Sequence, residues 1–93
     1  MNYALKPTKF FILQLDKISK EATNLIEEKL KLIKNNPYRY KRIKGHNLFL
    51  FRIRFKDQNK EKRLIYLVDK PYIKLICILD RKKEYKDLKK YLK

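Results

Sequence analysis

Arg52 and Arg54 stand two residues apart in an alternating stretch, Arg63 opens the next apolar run, and Arg81 follows the last one. Guanidinium groups hold phosphate oxygens through paired hydrogen bonds and stay charged at any physiological pH. Brought together on one sheet, these arginines would bind a phosphodiester and could also stabilise the added negative charge of a phosphorane-like transition state. Tyr85, downstream of Arg81, could stack on a base or move a proton. The competing reading is a solvated basic face, which a chain with 26 Lys and Arg can build without any ligand.

Other chemistries lack their residues. The single histidine, His46, lies in a turn-like Lys-Gly-His-Asn segment and reads as a loop residue rather than the base of a triad. Gly45 is the sole glycine, so no glycine-rich phosphate loop can be written. The ten carboxylates are scattered, which gives no sign of the paired acids of a glycosidase. Cys77 is the only cysteine, so an internal disulfide and a multi-thiolate metal site are both excluded, and it reads as a small buried hydrophobe. No metal and no cofactor is expected.

The charge points the same way as the arginines. With 26 Lys and Arg against 10 Asp and Glu, the formal charge is +16, and a polyanionic partner follows from self-repulsion. Yet 44% of residues are apolar and 13% aromatic, more than a disordered basic tail carries, so the 93 residues are expected to fold as one domain. The longest apolar runs, Leu64 to Val68 and Leu75 to Leu79, fall far short of the roughly 20 residues that span a bilayer. The FFILQL segment at 10–15 is too short for a secretory core and lacks a small-residue cleavage site, so the expected location is cytoplasmic.

The elements that must position the arginines can be read from periodicity. Residues 2–5 suit a short strand, and Pro7 and Thr8 open a helix over about 8–18, with Phe11, Leu15 and Ile18 at helical spacing. Ser19 caps a second helix whose stripe runs through Ala22, Leu25, Ile26, Lys29, Leu30 and Ile33 and which ends at Asn35, Asn36 and Pro37. From Leu48 the period changes to two: Phe49, Phe51, Ile53 and Phe55 form one apolar face, and Arg52 and Arg54 project from the other. A polar connection at 57–60 leads to a strand over 63–68. Asp69, Lys70 and Pro71 turn the chain into a third, apolar strand over 73–79, which is expected at the centre of the sheet. A terminal helix follows, with Tyr85, Leu88 and Leu92 on one stripe, read either as core or as functional. The architecture expected is α+β: a short strand, a helical hairpin covering the Phe49, Phe51, Ile53, Phe55 face, an antiparallel meander and a C-terminal helix. Function is left to the opposite face, where antiparallel pairing can bring Arg63 beside Arg52 and Arg54, and where Leu48 and Leu50 either lie open or pack under the last helix.

The order of these pieces resembles the RelE/ParE toxin superfamily over nearly the whole chain. The segments that carry the resemblance are NNPYRYKRIKG, LFLFRIRF, EKRLIYLV and LICILDRKKEY. They supply a helix ending in an Asn-Pro break, a hydrophobic-x-Gly element at Ile43 to Gly45, an Arg-hydrophobic-Arg strand at Arg52 to Arg54, an Arg-Leu-hydrophobic-Tyr strand at Arg63 to Tyr66, and an Arg with a downstream Tyr at Arg81 to Tyr85. The resemblance implies the toxin half of a toxin–antitoxin pair. In the RelE branch that means an endoribonuclease, needing no metal, that cleaves mRNA in the ribosomal A site by attack of a ribose 2′-hydroxyl on the adjacent phosphate. Arg52, Arg54, Arg63, Arg81 and Tyr85 match the functional positions, with Lys41, Lys44, Lys62 and Lys82 as further RNA contacts. It also implies an acidic RelB-type antitoxin that masks the positive face, and the Tyr85, Leu88, Leu92 stripe, packed on the sheet in the free chain, is expected to be displaced when the antitoxin binds. Two other readings stay open: the ParE branch, which inhibits DNA gyrase, and a basic RNA- or ribosome-binding protein with no catalysis.

One departure bears on the chemistry. RelE proteins carry lysines where this chain has Arg52 and Arg54, and an ammonium crowded by cations can lose its proton near neutrality, whereas a guanidinium cannot. The general base is then Tyr85, a nearby lysine such as Lys44, or no protein group at all. A weak dependence of rate on pH is expected.

Overall fold

The computed structural model describes residues 3–44, 47–81 and 88–92. In chain order the elements are β1 (Ala4–Pro7), α1 (Lys9–Leu15), α2 (Lys20–Asn35), β2 (Lys41–Arg42), β3 (Leu50–Asp57), β4 (Lys60–Asp69), β5 (Tyr72–Asp80) and α3 (Leu88–Tyr91). The strands form one mixed sheet in the order β1-β5-β4-β3-β2, with β1 parallel to β5 and the other pairs antiparallel. The class is α+β, as the sequence implies. Among the described residues no helix is long and apolar enough to cross a membrane.

Both long-range helices start where side-chain oxygens can cap them. The Thr8 hydroxyl accepts from the Phe11 N–H at 3.1 Å, and Ser19 accepts from the Ala22 N–H at 3.2 Å, each satisfying a donor that has no partner within the helix. α2 buries Ala22, Ile26 and Ile33, and α1 buries Phe11, against Phe51, Ile53 and Phe55 of β3, Leu64, Tyr66 and Val68 of β4, and Ile73, Leu75 and Ile78 of β5. A second, smaller core lies on the opposite side of the sheet. There Leu88 of α3 is fully buried with Leu50, Ile65, Cys77 and Leu79.

The β3–β4 hairpin sets the register on which the arginines depend. Gln58 and Asn59 both have positive φ (51° and 67°), the backbone of a two-residue type I′ loop, whose twist matches that of the flanking strands. Asp57, buried at the base of the loop, accepts from the Ser19 N–H at 3.3 Å and ties the hairpin to the corner between α1 and α2.

Four expectations are corrected. The first strand runs over Ala4–Pro7 rather than 2–5, and the first helix stops at Leu15, although Ile18 beyond it still packs on the core. β4, not β5, is the central strand, because β1 adds itself in parallel beyond β5, a pairing that needs the helical crossover between them. Phe49 lies before β3 and is 49% exposed, with the Arg42 guanidinium 4.4 Å from its ring centre, so it does not belong to the helix-covered face. The Lys41–Arg42 strand, absent from the sequence reading, closes the other side of the sheet.

β1 reaches only as far as Leu75 of β5, and two side chains of the α1 region serve the strand beyond it. The Thr8 hydroxyl donates to the Ile76 carbonyl at 2.6 Å. The Gln14 amide brackets Ile78, donating to its carbonyl at 2.9 Å and accepting from its N–H at 2.6 Å. Ile76 is the extra residue of a bulge, since Ile65 pairs with Cys77 but Tyr66 with Leu75.

Candidate nucleic-acid interface

Residues directly opposite on neighbouring strands share a face. Lys41 pairs with Arg52, Arg52 with Ile65, Arg54 with Arg63, and Arg63 with Leu79. Lys41, Arg52, Arg54 and Arg63 therefore all project from the side of the sheet opposite α1 and α2. The same side carries α3, whose Leu88 is buried with Leu50, Ile65, Cys77 and Leu79. Arg63, on the central strand, is 9% exposed, Arg52 is half-buried and Arg54 is exposed. Arg54 and Arg63 stand directly opposite on neighbouring strands, so one anion can lie against both.

Arg81 follows β5 in a helical turn, and its ion pair with Glu61 puts its guanidinium on the same side. Its Nη1 donates to Glu61 Oε2 at 2.5 Å, an ion pair whose two side chains are 64% and 42% exposed. Arg54, Glu61, Lys62, Arg63 and Arg81 line one shallow depression. Tyr40, Lys41, Arg52 and Arg54 line an open trough that shares Arg54 with it. The combined surface is a shallow cationic track, suited to an extended anionic strand lying across it.

The remaining residues singled out in the sequence divide. Lys62 pairs with Phe55 and Asp80, so its side chain emerges on the helix side of the sheet, where it forms an ion pair with Asp80 at 3.2 Å. Lys44 is exposed just past Ile43, whose side chain is buried in the smaller core. Lys82 and Tyr85 lie outside the described residues, as do Gly45 and His46. Leu50 packs under α3, whereas Leu48 is 43% exposed.

Tyr66 closes the Arg63 to Tyr66 motif but faces the helices. Its phenol donates to the Pro37 carbonyl at 2.7 Å, its ring stacks on Phe51 at 5.5 Å, and burial pushes its ionisation well above the ordinary tyrosine range. It is a structural group. Burial likewise pushes the Cys77 thiol up to about 12, which leaves no thiolate to act as a nucleophile. One member of the basic face was not singled out from the sequence. Glu61 could have been placed there, because it stands two residues before Arg63 on one strand.

No protein-family model matches the chain, and no curated protein matches it by sequence. A search of solved structures finds the toxin RelE of E. coli, determined in the free state as a double arginine-to-alanine mutant, with a TM-score of 0.79 at 16% identity. The match covers 98% of this chain and 94% of that one. With its sheet order, its hairpin and its arginine-bearing face in view, this chain has the fold of RelE.

Proposed function

We propose that the chain is the toxin half of a toxin–antitoxin pair and acts in the cytoplasm as a ribosome-dependent endoribonuclease on mRNA in the A site. The observation that carries this reading is the placing of Arg52, Arg54 and Arg63 on one side of a RelE-like sheet, with Arg81 arriving beside them. Arg52, Arg54 and Lys41 grip the phosphate backbone. Arg63 and Arg81 neutralise the charge that develops as the ribose 2′-oxygen attacks the neighbouring phosphorus and the 5′-oxygen departs, leaving a 2′,3′-cyclic phosphate. An ion pair as exposed as Arg81–Glu61 is worth little in water, so a phosphate can share or take over the Arg81 guanidinium. An acidic antitoxin of the RelB type suits a chain of charge +16.

Toe-printing of mRNA on ribosomes programmed with a defined codon in the A site tests the reading. Cuts confined to the A-site codon are the expected outcome. A block of DNA supercoiling without such cuts would replace this reading by gyrase inhibition, and ribosome binding without cuts by a non-catalytic role.

A further inference from the structure

The basic face holds a carboxylate at its hairpin end. Glu61 stands on β4 two residues before Arg63, on the same side of the sheet, and pairs across to Lys56 of β3. It is the only carboxylate among the described residues lining the depression formed with Arg54, Arg63 and Arg81. We propose that Glu61 is the general base of the cleavage, taking the proton of the ribose 2′-hydroxyl. The proposal rests on the ribonuclease reading above and names the group that reading leaves open.

The chemistry of the neighbours leads to it. Guanidinium groups accept no proton in a protein, so Arg52, Arg54, Arg63 and Arg81 can hold and neutralise phosphate but cannot activate the nucleophile. Tyr66 faces the helices with its phenol engaged by the Pro37 carbonyl. Glu61 sits among the cations that would hold the scissile phosphate, and the 2′-oxygen lies on the ribose next to that phosphate. Arg81 engages Oε2, and the carboxylate has a second oxygen with which to receive the proton. The charged groups that face it are Lys56 and Arg54 from β3, Arg63 from its own strand, and Arg81 after β5.

The step balances. The bond from O2′ to phosphorus forms as the bond from phosphorus to O5′ breaks. The 2′ proton passes to Glu61 and from there to water, and the departing 5′-oxygen takes a proton from water. The products are a 2′,3′-cyclic phosphate and a 5′-hydroxyl.

The test is single-turnover cleavage on programmed ribosomes by the full chain and by Glu61→Gln, each alone and in an Arg81→Ala background. Glutamine keeps the size and the acceptor oxygen that Arg81 uses but cannot take the proton. Glu61→Gln should lower the rate by about a hundredfold or more while leaving ribosome binding and thermal melting unchanged. The loss should persist in the Arg81→Ala background. A Glu61→Gln rate within about threefold of the parent would overturn the proposal, and so would a loss that vanishes once Arg81 is gone, which would make Glu61 a positioning residue for that arginine. If the parent chain makes no cuts, the ribonuclease reading fails and this proposal with it; if the parent cuts and Glu61→Gln cuts equally well, only this proposal fails.

Discussion

Replacing Tyr66 by phenylalanine removes one oxygen atom from the centre of the sheet and tests whether the two faces of β4 have separate duties. The ring that remains keeps its stacking on Phe51, at 5.5 Å and 17° between planes, so no cavity larger than a hydroxyl opens. What is lost is the 2.7 Å bond to the Pro37 carbonyl, which lies in a fully buried residue between α2 and β2. A buried acceptor left without a partner costs about 1–3 kcal/mol, and we take about 2 kcal/mol because both groups are shielded from water. For a domain of this size that lowers the melting temperature by roughly 10 °C. Calorimetry gives the melting shift, and cleavage on programmed ribosomes below the transition gives the activity, which should stay within about twofold of the parent because the phenol never reaches the basic face. A melting shift under about 2 °C would show that the Pro37 bond does not anchor the helical hairpin. A large loss of cleavage without a melting shift would refute the division of faces altogether.

Further outcomes follow from the same geometry. Arg63→Ala should lower the cleavage rate by at least about a hundredfold, as the loss of one transition-state donor does, while ribosome binding falls far less. An equal fall in both would point to simple phosphate binding. Arg54→Ala, at an exposed position, should weaken binding of single-stranded RNA and make the slope of log affinity against log salt shallower by about 0.7, the share of one phosphate contact. Cys77 should resist iodoacetamide at pH 8 in the native chain and react fully in urea, because burial pushes its thiol up to about 12; alkylation of the native protein would contradict its buried, neutral state.

Much of this was legible in the residues because period-two and period-3.6 patterns encode which side a side chain takes. The alternation of Arg52 and Arg54 with Phe51, Ile53 and Phe55 placed the arginines opposite the helices, and Ser19 marked the start of α2. Strand order was not legible, because nothing local to residues 4–7 says that they pair with residues 72–75. The shift of Phe49 out of the core was hidden for a similar reason: its apolar character fits the strand pattern, and only the turn made by the Leu50 N–H to the Leu48 carbonyl, at 3.0 Å, excludes it. At the candidate site, Glu61 was within reach of the alternation argument, but its bond to Arg81 joins residues 20 apart in sequence on strands whose pairing had to be known first. Gln14 is the limiting case, a lone amide whose partner is backbone 64 residues away.

The rims of the sheet carry a consequence for how the protein behaves in concentrated solution. One rim is a two-residue Lys-Arg strand and the other a four-residue strand ending in proline, beyond which Thr8 and Gln14 occupy the hydrogen-bonding groups of Ile76 and Ile78. Neither offers the long, open ladder through which one sheet recruits another. In dilute buffer mutual repulsion already keeps so cationic a molecule apart from its copies, but a Debye length of about 3 Å at molar salt removes that protection. Under brine, then, the burden of staying monomeric passes from charge to these two small plugs, and a Thr8→Val, Gln14→Leu chain should remain clear at low salt yet turn turbid where its parent does not.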